Sequence, residues 1–149
     1  MKYQRFLKDN LIKKIKPDFK QIVFQLKRSQ KDIKAAEANL NIDLTWSFTI
    51  AYHAMIRAGR VLMFAKGYLP TTKNSHKTIV EFTKLILGEE YKEAASKFNR
   101  MRRKRHDFIY DSKNHITISE AKSSIETAIK LINKISVLIK EQNPQKKLF

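Results

Sequence analysis

The sequence DLTWSFTIAYHAMIRAGRVLMFAKG, residues 43–67, decides the fold of this protein. Asp43 is a favourable residue for capping the start of a helix, and Gly67 can adopt the left-handed conformation in which many helices end. Between them, apolar side chains cover most of a helical circumference, which is typical of a helix buried at the centre of a bundle. One polar stripe interrupts this surface at the spacing i, i+4, i+8 and i+11: Thr49, His53, Arg57 and Arg60.

The rest of the chain also has helical periodicity. It contains only three glycines and three prolines, and no stretch alternates apolar and polar residues over the length of a strand. We therefore predict an all-α fold without strands, an up-and-down bundle of about four or five helices in a single domain. Ser75 is predicted to cap one helix, and Thr117 with Glu120 has the spacing of a capping box. The predicted helices cover residues 1–16, 19–39, 43–67, 75–87, 89–110 and 117–142, followed by a flexible tail at 143–149.

The charge balance is strongly basic. The chain has 31 Lys and Arg residues against 14 Asp and Glu residues, a formal net charge of +17. A field of this sign attracts polyanions, so nucleic acid is the first partner to consider and an anionic membrane surface the second. The basic N-terminal helix has an apolar stripe that the bundle itself can cover, so we expect RNA and not a membrane as the partner.

Several classes of site and location are excluded or disfavoured by composition. There is no cysteine, which excludes disulfides, thiolate catalysis and cysteine-bound zinc. Charges interrupt both the N-terminus and the most apolar stretch, residues 50–65, so we expect neither a signal peptide nor a membrane span, and a cytoplasmic location. No glycine-rich phosphate loop, zinc motif or nucleophile elbow is present, and we predict no cofactor and no metal site.

A second stretch, KFNRMRRKRHDFIYD at residues 97–111, concentrates six cationic side chains around His106. Projected on a helix, one flank beside the apolar stripe carries five of its residues: Asn99, Arg102, Arg103, His106 and Tyr110. Arginine can grip phosphate oxygens with two nitrogens, and histidine can exchange a proton near neutral pH. These are the groups needed to cleave RNA without a metal, although a cationic helix face is more often a simple phosphate-binding surface.

Three segments together resemble the HEPN domain family: WSFTIAYHAMIRAGRVLMFAKG at 46–67, SHKT at 75–78 and RRKRHDFIYD at 102–111. The resemblance covers residues 19–142. It implies a helical bundle that commonly forms a homodimer, in which two Arg/His motifs share one cleft. Many HEPN proteins are metal-independent endoribonucleases, often toxins or defence components, whereas others are inactive RNA-binding or assembly modules.

The family motif is an arginine, four to six further residues, and a histidine. Arg100 fits with five residues before His106, whereas Arg102 has three. Active members usually carry Asn, Asp or His directly after the arginine, and this chain departs from that pattern with Met101 and Arg103. On a regular helix Arg100 points about 120° away from His106, which favours Arg102 within one chain, but a second chain could reverse that preference.

One HEPN subgroup acts as toxins paired with nucleotidyltransferase antitoxins, which modify a tyrosine two residues after the histidine. Phe108 occupies that position here, and Tyr110 lies two residues later. The resemblance therefore implies an antitoxin or nucleotidyltransferase as a possible partner, but not this route of regulation.

Two hypotheses follow. In the first, a homodimer binds RNA and cleaves it, with His106 as acid or base and Arg102 or Arg100 on the phosphate. Further RNA contacts are assigned to Arg103, Arg105, Asn99, Tyr110, His53 and Arg57. In the second, the chain is a non-catalytic basic module that scaffolds nucleic acid or a partner protein. His76 is interpreted as a capping or surface residue, and Trp46 and Tyr52 as core residues and not base-stacking platforms.

Overall fold

The computed structural model of the protein describes residues 2–110 and 115–143, except for the side chains of residues 108–110. Within this part of the chain it contains six α-helices and one small sheet. The elements are α1 (Gln4–Lys8), β1 (Ile12–Lys14), α2 (Phe19–Ala38), α3 (Leu44–Ala65), β2 (Tyr68–Pro70), α4 (Ser75–Leu87), α5 (Lys92–Tyr110) and α6 (Ile118–Gln142). The predicted all-α class is confirmed.

The ends of the long helices follow their local sequence. The Asp43 carboxylate accepts a hydrogen bond from the backbone N–H of Trp46 at 3.0 Å, as an N-cap does. Thr117 and Glu120 form the predicted capping box at the start of α6. Gly67 follows α3 with φ of 89°, a backbone conformation that residues with a side chain rarely adopt.

Helix α3 lies at the centre of the bundle and contacts α2, α4, α5 and α6. Its apolar surface is buried against these helices, as the sequence predicts, and its largest fully buried side chains are Tyr52, Met55, Leu62 and Met63. Because most of α3 is surrounded by other helices, its exposed polar residues, such as His53 and Arg60, mark where the bundle opens to solvent. No helix in the described ranges is long and apolar enough to cross a membrane.

The N-terminal segment corrects the prediction of a helix over residues 1–16 and of a fold without strands. The helix ends at Lys8, and Asn10 adopts φ of 55°. β1 then pairs antiparallel with β2, with Ile12 opposite Pro70. Phe6 and Ile12 are both buried although they belong to different elements. The apolar residues of this segment therefore do pack in the core. The backbone hydrogen bonds of residues 12–14, however, are made with a segment more than fifty residues away.

Smaller differences concern helix starts and surface positions. Asn74, in a left-handed conformation, precedes α4, so Ser75 is its first residue and not its cap. A 3-10 turn at Glu89–Tyr91 precedes α5. Asn143, predicted to begin a flexible tail, is buried at the end of α6, and residues 144–149 lie outside the described part of the chain.

Gly59 lets α4 pack closely on α3. A Cβ atom at this position would lie 2.6 Å from Ile79 Cγ2 and 2.8 Å from Thr83 Oγ1. We expect Gly59→Val to lower the free energy of unfolding by about 1–3 kcal/mol, because Ile79 is branched at Cβ and cannot swing its methyl group away. Urea denaturation measures the change. As a control, Ile79→Ala should cost less in the Gly59→Val protein than in the wild type, and equal costs in both would contradict this contact.

Candidate functional site

A polar cleft opens where α5 passes α4 and the loop before it. We call it the histidine cleft, and its lining residues are Tyr52, Thr72, Asn74, Ser75, His76, Lys77, Arg102, Arg105 and His106. Two of the nine are imidazoles, on different helices, and two are guanidinium groups. The cleft therefore joins residues from three helices that are up to 54 positions apart in the sequence.

Arg102 and His106 reach the histidine cleft from consecutive turns of α5, because residues four apart lie on the same side of a helix. His106 is exposed and Arg102 is partly buried. Arg102 Nε donates a hydrogen bond to Asn99 Oδ1 at 3.1 Å, one turn earlier. This bond restrains the guanidinium group and leaves its terminal nitrogens available to a ligand in the cleft.

Arg100 lies elsewhere. It lines a separate groove between α5 and α6, together with Lys97 and Lys104. Lys104 Nζ pairs with Glu120 at 3.2 Å, and Lys97 Nζ pairs with Glu93 at 3.9 Å, so carboxylates offset part of the charge on this side. Within one chain the structure thus brings Arg102, and not Arg100, together with His106.

Arg105 is partly buried and contacts the floor of the histidine cleft. Its guanidinium carbon lies 5.7 Å from the centre of the Tyr52 ring, a cation–π distance. Its Nε atom is buried and has no hydrogen-bond acceptor among the described residues. Arg103, by contrast, is exposed on α5. The side chain of Tyr110, another predicted RNA contact, lies outside the described residues.

The fully buried Tyr52 holds His76 in place. Tyr52 Oη and His76 Nδ1 are 2.9 Å apart; in the tautomer in which Nδ1–H donates to Tyr52 Oη, His76 Nε2 is unprotonated and can accept a proton from a ligand. Burial raises the pKa of the Tyr52 hydroxyl to about 12, although the nearby Arg105 and Arg102 act in the opposite direction. Tyr52 therefore stays protonated at neutral pH. The interpretation of Tyr52 as a core residue is correct, but its hydroxyl also belongs to the cleft.

His76 was interpreted from the sequence as a capping or surface residue, and the structure instead places it in the cleft. Partial burial lowers the pKa of His76 below its usual 6.5, and the positive charge of Arg105 lowers it further, with smaller contributions from His53, Arg60 and Arg102. The imidazole is therefore largely neutral at pH 7. The segment SHKT carried the only sequence signal for this position, and its distance from His106 along the chain concealed the pairing.

A second groove lies on the other side of Arg105. We call it the tryptophan groove, and its lining residues are Asp32, Thr45, Trp46, Thr49, Ile50, His53, Arg57 and Arg105. His53 and Arg57, predicted RNA contacts, lie in this groove and not in the histidine cleft. Arg57 pairs with Asp32 at 3.4 Å and donates a hydrogen bond to Gln25 Oε1 at 2.6 Å, which fixes its position.

Trp46 corrects a prediction. Its spacing among apolar residues favoured the core, but the side chain is 57% exposed at the mouth of the tryptophan groove. It lies in the first turn of α3, where Asp43 caps the helix and where the neighbouring helices no longer cover that side. Partial burial, Arg105 and Arg57 lower the pKa of the nearby His53, while Asp32 partly offsets this, so His53 is also largely neutral at pH 7.

Comparison with known proteins gives one match. The model of the HEPN domain family matches residues 22–140, most of the chain and every element that lines the two grooves. A search of curated proteins and a search of solved structures each found nothing that matches.

Proposed function

Because the chain belongs to the HEPN domain family, which is associated with RNA binding and RNA cleavage, we propose that it binds RNA in the histidine cleft and cleaves it without a metal ion. The observation that carries this proposal is the meeting of Arg102, His106 and His76 in one accessible polar cleft. The net charge of +17 favours a polyanionic ligand in this cleft.

The chemistry requires two proton transfers. One group takes the proton from a 2′-hydroxyl as its oxygen attacks the neighbouring phosphorus, and a second group gives a proton to the departing 5′-oxygen. The products are a 2′,3′-cyclic phosphate and a 5′-hydroxyl. His76, largely neutral at pH 7, is suited to accept the first proton at Nε2 in the tautomer whose proton lies on Nδ1, and His106 of the same cleft is suited to supply the second.

Arg102 is suited to stabilise the charge that develops on the phosphate during this attack. Its guanidinium group keeps its positive charge at any relevant pH and can donate two parallel hydrogen bonds to phosphate oxygens. Its hydrogen bond to Asn99 means that little side-chain freedom must be lost when RNA binds. Preorganised donors of this kind supply a large share of catalysis in phosphate chemistry.

Other features of the first hypothesis stay predictions. A homodimer would bring a second histidine cleft, and the partner's Arg100, near the first. A role as a toxin or defence component, and a nucleotidyltransferase antitoxin as partner, rest on the family resemblance alone.

A second candidate function is the non-catalytic module that holds nucleic acid or a partner protein on the same surface. Met101 and Arg103 favour it, because active members of the family usually carry Asn, Asp or His directly after the motif arginine. In this case the same cations bind phosphates, but no bond is broken.

Matched RNA and DNA strands distinguish the two candidates. Labelled single strands of one sequence are incubated with the protein in EDTA, and products are analysed by gel and mass spectrometry. Metal-independent attack by a 2′-hydroxyl predicts cleavage of RNA with 2′,3′-cyclic phosphate ends and no cleavage of DNA. Binding of RNA without products supports the module, and no binding even at low salt would contradict the first candidate and the nucleic-acid form of the second.

A further inference from the structure

The indole of Trp46 is an exposed aromatic side chain beside a groove. A large aromatic side chain commonly buries roughly 150 Å² or more of its surface in a core or an interface. Here the side chain is 57% exposed and stands at the edge of a groove that also contains the imidazole of His53. The groove therefore offers the exposed indole of Trp46 and the imidazole of His53, which also makes edge-on ring contacts with Tyr52 at 5.5 Å and with His76 at 6.2 Å.

Arg105 connects this groove to the proposed site of cleavage. Its side chain lines both the histidine cleft and the tryptophan groove, so the two pockets are adjacent and share this residue. A strand with one phosphate beside Arg102 and His106 would pass Arg105 before it reaches Trp46. The guanidinium group of Arg105, which lines both surfaces, is the cation that the strand would meet at this crossing.

The charges of the groove suit a nucleotide. Arg57 and Arg105 are positively charged, and Asp32, the one carboxylate among the described residues of the groove, is held by ion pairs with Arg57 and with Arg28 at 3.2 Å. Aromatic faces stack on any base, and neighbouring arginines bind the backbone phosphates. An apolar protein partner would instead have to bury both guanidinium groups.

We propose that Trp46 and His53 form a base-stacking subsite for a nucleotide next to the phosphate held in the histidine cleft, so that the ligand is single-stranded RNA. This inference rests on the proposed function, because it assigns a further part of the same RNA site. A base within a duplex is already stacked on both faces, and it cannot stack on Trp46 without leaving the helix.

Trp46 is the only tryptophan in the chain, so intrinsic fluorescence reports on this subsite directly. The probes are two single strands with 2′-O-methyl riboses, whose 2′-oxygen cannot attack the neighbouring phosphate. One strand carries its bases and the other is abasic. Both should bind, as measured by the anisotropy of an attached label. Only the strand with bases should quench the tryptophan fluorescence, with the same midpoint as its binding curve.

Variants test the contribution of the indole. Trp46→Ala should weaken binding of the strand with bases about tenfold and leave the abasic strand unchanged, whereas Trp46→Phe should retain most of the affinity. Phe24→Ala is the matched control, because Phe24 is also an exposed aromatic residue, at 67%, but lies outside the groove. Circular dichroism checks that the variants fold.

Each other outcome has a distinct meaning. Binding of both strands without quenching would overturn the stacking subsite and leave the proposed function intact. Failure of every strand to bind would overturn both. If the fluorescence instead changes with protein concentration in the absence of RNA, and Trp46→Ala dissociates a dimer, the indole belongs to an interface between two copies and the subsite is wrong.

Discussion

We expect the His106→Ala variant to cleave RNA about 10²–10⁴ times more slowly than the wild type while it binds a non-cleavable strand almost as tightly. The imidazole is exposed in the histidine cleft, so its removal takes away a proton-transfer group without leaving a cavity in the core. RNA affinity depends mainly on the cations, which the substitution leaves in place. Rates are measured in EDTA at saturating protein, and affinities with the 2′-O-methyl strand.

His115→Ala is the matched control for this experiment. His115 is also exposed, and it does not line the histidine cleft. Its variant should cleave at the wild-type rate. Equal rates for wild type and His106→Ala would mean that this imidazole transfers no proton in the reaction, and loss of both cleavage and binding would point to a structural or purely electrostatic role.

The second large effect is a difference in cleavage rate between two variants that each lose one arginine, Arg102→Ala and Arg100→Ala. Each removes one guanidinium group from α5, so the change in net charge is the same. Arg102 lines the histidine cleft, and we expect its loss to lower the cleavage rate by about 10²–10³-fold, as for removal of one preorganised donor to a developing charge. Arg100 lines the groove between α5 and α6, and its loss should leave the rate nearly unchanged.

Salt dependence separates binding from catalysis in this pair. Loss of one phosphate contact to a single strand should reduce the slope of log affinity against log salt by about 0.7. We expect this reduction for Arg102→Ala. If Arg100→Ala is the slower enzyme, the motif arginine acts from the second chain of a dimer, and the arrangement within one chain is not the catalytic one.

The sequence by itself determined the features that depend on neighbouring residues. The cap at Asp43, the left-handed Gly67 and the capping box of Thr117 and Glu120 are each decided within one helical turn, and all three are present in the structure. The burial of α3 followed from the number of its apolar residues. The proximity of Arg102 and His106 followed from their spacing of four on one helix.

Tertiary structure decided the features that depend on distant partners. Residues 12–14 form a strand because residues 68–70 supply its hydrogen bonds, and helical spacing alone could not reveal that partner. His76 joins His106 because α4 packs against α5, and Trp46 is exposed because, among the described residues, no helix covers its side of the first turn of α3. Periodicity reports which face of a helix is apolar, but only the packing of the other helices determines how much of that face loses contact with water.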